Sequence, residues 1–203
     1  VAAPKVDSAL TAFLEEQYLR PHSSPITADM IVGLEERFGI HPLWTLVILG
    51  AESSLGDPVQ GGELARRSNF GCLKAAVRGS WSELADGTIR IRGTDWYTFP
   101  TAAAGMEAWG RYLSGRQDGL YIELLSAGDL RAFAAIYYGE SVEGFPEYAA
   151  GLYERAAGVR AKARAAGFDW WIGRARGRRS PGSRPWRSRT QRDPRDTHDP
   201  SAI

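Results

Sequence analysis

Pro42-Leu43-Trp44-Thr45-Leu46-Val47-Ile48-Leu49-Gly50-Ala51-Glu52 is the stretch that decides how this chain is read. Its apolar residues fall on every side of a 3.6-residue period. The spacing therefore predicts a helix buried over most of its surface. Ser53-Ser54-Leu55-Gly56-Asp57 follows at once, small, polar and turn-forming, and Gly56 is a natural stop. Glu52 thus stands at the mouth of a buried helix. Partial desolvation there disfavours the charged carboxylate and raises its pKa. A carboxyl that stays protonated near neutral pH can give a proton to a leaving oxygen, as the acid of a glycosidase must. The competing reading is a helix-end residue that points into water. The helix dipole mildly disfavours an acid at a C-terminus, which makes Glu52 an odd choice without a purpose.

Composition bounds the rest. The chain has 203 residues, 43% hydrophobic and 24% charged, which suits one soluble globular domain with an extension. No apolar run reaches the roughly 20 residues of a membrane span. The first twenty residues lack the basic start and central apolar block of a signal peptide. Cys72 is the lone cysteine, so no internal disulfide is possible, and its apolar neighbours suggest a packing role. His22, His41 and His198 show no ligand spacing, so neither a metal nor any other cofactor is expected.

The net charge of +1 hides an asymmetry. Residues 173–203 hold nine Arg and three Asp, while the rest carries 16 basic and 21 acidic residues. We expect a domain over residues 1–172 and a disordered Arg/Pro-rich tail over residues 173–203. The tail could touch an anionic polymer or be an unselected polar extension. The acidic body argues against a specific nucleic-acid partner. A monomer is expected.

The remaining pattern is mostly helical. Asp7 or Ser8, Thr27, Thr101 and Asp129 are candidate N-caps, with Gly39 and Gly167 as stops. Pro146 opens a long alanine-rich helix over residues 147–166. Gly56–Ser68 reads as a polar loop. Asp86-Gly87 is a tight-turn signal, and Gly93-Thr94 a second one. Between and after them, Thr88-Ile89-Arg90-Ile91-Arg92 and Asp95-Trp96-Tyr97-Thr98-Phe99 alternate as strands. The expected fold is mainly α (α+β), with one small β-hairpin lobe flanking a cleft. Phe168, Trp170 and Trp171 are expected to fold back onto the domain.

Four short elements, in order, carry a resemblance. They are Ala51-Glu52-Ser53-Ser54-Leu55-Gly56, Ser68-Asn69-Phe70-Gly71-Cys72-Leu73-Lys74-Ala75, the hairpin, and Ala135-Ile136-Tyr137-Tyr138-Gly139 leading to Tyr148-Ala149-Ala150-Gly151-Leu152. Over residues 26–160 the chain resembles the glucosaminidase family of bacterial and phage peptidoglycan hydrolases, within the lysozyme-like superfamily. The resemblance implies a lysozyme-like helical domain that cuts a β-1,4 bond of the glycan strand, with Glu52 as general acid. It implies Tyr148 near the reacting sugar and Ser53, Asn69, Phe70, Trp96 and Tyr138 as substrate-binding residues. Asn69 and Phe70 would shape the floor below the acid, and Lys74 is expected in solvent.

One departure matters. The family often carries a second carboxylate on the hairpin strand before the turn, and this strand has none. Asp95 is the best substitute, with Glu83 and Asp86 behind it. Without a second carboxylate, the substrate's own acetamido group could act as nucleophile. Alternatively, the sugar's 6-hydroxyl could close on the anomeric carbon, as in a lytic transglycosylase. A muramidase on the same fold, or a non-catalytic wall-binding or virion module, also stays open. The expected site of action is the cell wall. Delivery is expected by a phage, by a virion, or as part of a longer secreted protein.

Overall fold

The computed structural model describes residues 8–168. Helices dominate, and among the described residues the one sheet is a two-stranded antiparallel hairpin. Trp170, Trp171, the boundary at residue 172 and the Arg-rich tail lie outside the described residues.

The buried run forms helix α3, Pro42–Ser53, in which every residue from Pro42 to Gly50 is buried, as is Ser53. The other main helices are α1 (Ser8–Leu14), α2 (Ala28–Phe38), α5 (Ala102–Gly115), α6 (Leu120–Ala127), α7 (Leu130–Ala134) and α8 (Phe145–Ala165), of which α2 and α8 pack against α3. The longest of these, α8, packs along α3. Its buried residues Ala149, Leu152, Ala156, Val159 and Ala163 recur at alternating spacings of three and four, which makes one continuous seam. Small side chains in that seam let the two helix axes approach.

Local signals place the helix ends. Thr27, Thr101 and Asp129 each accept a hydrogen bond from the backbone N–H three residues on, as N-caps do. Gly39 and Gly167 take left-handed φ of 71° and 82° where their helices stop. Phe168 folds back, its ring 4.9 Å from that of Phe13.

The hairpin consists of β1 (Gly87–Ile91) and β2 (Thr94–Thr98), paired with Ile91 opposite Thr94 and Ile89 opposite Trp96. Its turn is Arg92-Gly93, with φ of 48° and 82°, the double left-handed geometry that matches strand twist. Two turn expectations need correction here. Gly93-Thr94 is one residue out of register. Asp86-Gly87 is no turn at all, because Asp86 continues the ladder by donating its N–H to Thr98 O and accepting from Thr98 Oγ1. The Gly56–Ser68 stretch is also more ordered than its composition suggests. Asp57 Oδ1 accepts from Val59 N and Gln60 N, and the short helix α4, Gly62–Arg66, follows.

A buried amide reinforces the backbone bonds that dock the hairpin on the loop before it. Asn69 Oδ1 accepts from Leu73 N at 2.7 Å, while Asn69 Nδ2 donates to Leu73 O at 3.0 Å and to Tyr97 O at 2.8 Å. Replacing Asn69 by Ala would leave Leu73 N and Tyr97 O without this partner in a dry site, at about 1–3 kcal/mol each, while Leu73 O keeps its bond from Tyr97 N. Asn69→Ala is expected to lose about 3 kcal/mol or more in urea unfolding. Ala157→Gly, at an exposed position in the interior of α8, is expected to lose only about 1 kcal/mol.

Candidate active site

Glu52 is the penultimate residue of α3. Behind it the chain turns sharply through three successive left-handed residues, Ser54, Leu55 and Gly56, with φ of 49°, 58° and 77°. Leu55 is buried in this strained conformation, so packing holds the turn that ends the helix at the acid. Ser53 supports the same turn, since its hydroxyl donates to Leu49 O and accepts from Gly56 N.

From α8, Tyr148 reaches the Glu52 carboxyl and donates its hydroxyl to Oε1 at 2.5 Å. The Tyr148 ring stacks on Tyr138, centroids 4.4 Å apart and planes 14° from parallel. Tyr138 is presented by a wide turn that continues α7, in which Glu140 N reaches Ala135 O five residues back. The same turn sends Tyr137 inward. Its hydroxyl donates to Gly71 O at 2.8 Å and accepts from Trp109 Nε1 at 3.3 Å. Gly71 is required there, because a β-carbon would lie 2.0 Å from Trp109 Cδ1.

The next residue, Cys72, has φ of 51° and points its Sγ at the Glu52 carbonyl oxygen, 3.5 Å away. Its setting is more than the packing role expected from sequence. Lys74 is also more than a residue in solvent. It is exposed, yet its charge reaches the Glu52 carboxyl, and its Nζ lies 5.6 Å from the Trp96 ring centroid.

Burial pushes the Glu52 carboxyl above the ordinary Glu range. The Tyr148 hydroxyl, the Cys72 thiol and the Lys74 ammonium oppose that shift without cancelling it. Burial and the neighbouring carboxylate push Tyr148 up as well, so it remains a hydrogen-bond donor. An acid whose pKa is raised and that is oriented by a permanent donor on one oxygen can use its other oxygen to carry a transferable proton.

The expected binding residues separate into two groups. Ser53, Asn69 and Phe70 are buried, at 1%, 1% and 0% exposure, so they support the site from beneath and cannot touch a substrate. For Ser53 this is a correction, because its hydroxyl is spent on the backbone. Asn69, whose amide is spent on Leu73 and Tyr97, and the fully buried Phe70 are likewise corrections as substrate contacts. Trp96 is half-buried and Tyr138 is exposed, and both remain open to a ligand.

Asp95 is also a correction. It is exposed, stands opposite Arg90 in the strand register and lies 4.0 Å from it. Strand alternation puts it on the opposite face of β2 from Trp96 and Lys74. No acidic group is among those that shift Glu52. A cavity of about 300 Å³ lined by Ala75, Arg78, Ser82, Thr88 and Tyr97 lies behind that same far face and does not reach the acid. No metal-binding group of three or more His, Cys, Asp or Glu occurs among the described residues. Comparison with protein-family models, curated proteins and solved structures finds no match for this chain.

Glu52→Gln provides a test of the buried acid. Because the folded pKa is raised, the stabilising protonated form is fully present below the unfolded value near 4.5 and is lost as pH rises through the folded value. Glutamine keeps the acceptor for Tyr148 but cannot ionise. The variant is expected to match wild type in melting temperature below that window, to exceed it by a gap that widens through the window, and to keep a constant advantage above it. A gap that is constant across pH would mean that Glu52 is not desolvated.

Proposed function

We propose that this protein cleaves β-1,4 glycosidic bonds in the glycan strand of peptidoglycan, as an endo-β-N-acetylglucosaminidase with a lysozyme-like architecture. One observation carries the reading: a carboxyl with raised pKa, at the end of a buried helix, hydrogen-bonded to Tyr148 beside an accessible pair of stacked tyrosines. The ordered sequence resemblance supports the same assignment. The substrate lies outside the membrane, so the protein would act at the wall. No helix among the described residues is long and apolar enough to cross a membrane.

The chemistry uses one protein acid. Glu52 gives its proton to the glycosidic oxygen while the C1–O bond breaks and its electrons leave with that oxygen. The acetamido oxygen of the same sugar then bonds to C1, forming a cyclic intermediate. Glu52, now a carboxylate, takes a proton from water as the water oxygen attacks C1 and reopens the ring. No acid among the described residues contributes to the Glu52 shift and Asp95 faces away, which supports this internal nucleophile over a two-carboxylate inversion. That same absence favours, as a second reading, closure of the 6-hydroxyl onto C1. In that case Glu52 takes the hydroxyl proton and the product is a 1,6-anhydro sugar.

Digestion of purified peptidoglycan with mass spectrometry of the fragments tests the reading. Wild type is expected to release fragments with N-acetylglucosamine at the reducing end, and Glu52→Gln none. An anhydro end would establish the second reading, and a reducing N-acetylmuramic acid end a muramidase. No release from walls of several types would remove the enzymatic assignment.

Tyr148→Phe should also move the pH profile. The Tyr148 hydroxyl holds the Glu52 pKa down, so its loss raises that pKa. The alkaline fall-off of activity is expected to shift to higher pH while the maximal rate drops, by about 10- to 100-fold. A fall-off that stays in place would separate Tyr148 from the titration of Glu52.

A further inference from the structure

Lys74 stands directly opposite Trp96 in an antiparallel bridge framed by Ala75 N to Asp95 O and Tyr97 N to Leu73 O. Directly opposed residues share a face of the sheet. The β1–β2 register adds Ile89, opposite Trp96, to that face. The result is an apolar plate of Trp96 and Ile89 with an ammonium group at its edge. None of the ion pairs among the described residues involves Lys74, whose neighbours are the Trp96 ring and, at longer range, Glu52. The acid next to Trp96 in sequence, Asp95, is turned to the other face and paired with Arg90. The plate therefore carries an uncompensated positive charge beside the proposed acid.

A pyranose ring can lie against an indole through its axial C–H groups, and an ammonium can meet a carboxylate with a charge-assisted hydrogen bond. We propose that Lys74 and Trp96 form a subsite for a sugar bearing a carboxylate, which makes Lys74 a specificity-determining residue. The inference rests on the glycan-cleaving assignment of Glu52. In peptidoglycan the carboxylate has two sources: the lactyl group of N-acetylmuramic acid where no peptide is attached, and the stem peptide where one is. A homopolymer of N-acetylglucosamine has neither. The subsite thus places an acidic sugar next to the bond that Glu52 protonates.

Binding to the Glu52→Gln protein by calorimetry tests this with three ligands: chitohexaose, peptide-free glycan strands with free lactyl carboxylates, and glycan strands that keep their stem peptides. At least one of the two charged ligands is expected to bind more tightly than chitohexaose. Adding Lys74→Met should weaken the charged ligands by about five- to tenfold and leave chitohexaose within about twofold. Lys74→Arg should restore most of the difference, and added salt should mimic Lys74→Met. Tighter binding of peptide-free strands assigns the lactyl group, and tighter binding of peptide-bearing strands alone assigns the stem. Equal weakening of all three ligands by Lys74→Met, or no preference for charged strands, would overturn the subsite. If instead none of the ligands binds and wild type releases no fragments from walls, the glycan-cleaving assignment itself falls.

In turnover by the wild-type acid, Lys74→Met is expected to change kcat by one common factor on all cleavable strands, because its field on Glu52 is common to them. The KM should rise only for carboxylate-bearing strands. A KM rise of the same size on neutral strands would reduce Lys74 to a general structural contact.

Discussion

The hydrogen bond from Tyr148 to Glu52 joins residues 96 positions apart, and the site exists only where their two helices are held together. The constraint beneath it is the burial of α3. A helix apolar on all sides must be enclosed by others, and the enclosing α8 brings its first turns against the last turn of α3. The carboxyl is then desolvated by the same packing that forms the core. Its raised pKa is a consequence of the fold as much as of the site, and the three groups that lower it prevent burial from fixing the proton too firmly.

Much of this was legible in the sequence. The all-round apolar run predicted a buried helix, and the polar turn after it predicted where that helix ends. The capping residues worked because each needs only its own next three backbone N–H groups, so tertiary context has little room to interfere. The alternation of Thr88–Phe99 was enough for a hairpin, yet the turn was misplaced. Asp-Gly and Gly-Thr both look permissive, whereas Arg92 takes φ of 48° because the strand register leaves it no alternative.

The site was legible only in outline. Its members come from five separated places: the end of α3, the Gly71–Lys74 loop, β2, the wide turn after α7, and the start of α8. Sequence shows a residue's type, but exposure decides whether it can be a ligand contact. Ser53 and Asn69 have suitable chemistry and are spent on the backbone. Lys74 looked like an ordinary surface lysine, and the signal that could have singled it out was the alternation Cys72-Leu73-Lys74, with Leu73 turned inward and its neighbours outward. Asp95 was chosen for its charge and its place near the turn, and parity along β2 sends it to the wrong face. A shift of one residue in a strand exchanges its faces, so a single-residue guess in a hairpin carries no information about which face it occupies.

Among the described residues the Trp96 face of the hairpin carries no acid and the exposed Lys74 lies on that same face, and the two facts bear on one another. A second carboxylate beside Lys74 would pair with it, holding the ammonium away from any ligand and lowering its own pKa. With β1 reading Ile89-Arg90-Ile91, the cleft face carries aliphatic side chains instead. On the proposed reading, Trp96 and Ile89 would give the substrate a surface, Lys74 would keep its charge for a ligand, and Glu52 would be the acid acting on the bond. Such a site relies on the substrate for its second reacting group. That reliance rewards a sugar whose acetamido group is held still, and a plate that orients the neighbouring ring serves that end. The proposed chemistry at Glu52 and the proposed selectivity at Lys74 would therefore both follow from the residue pattern of the hairpin.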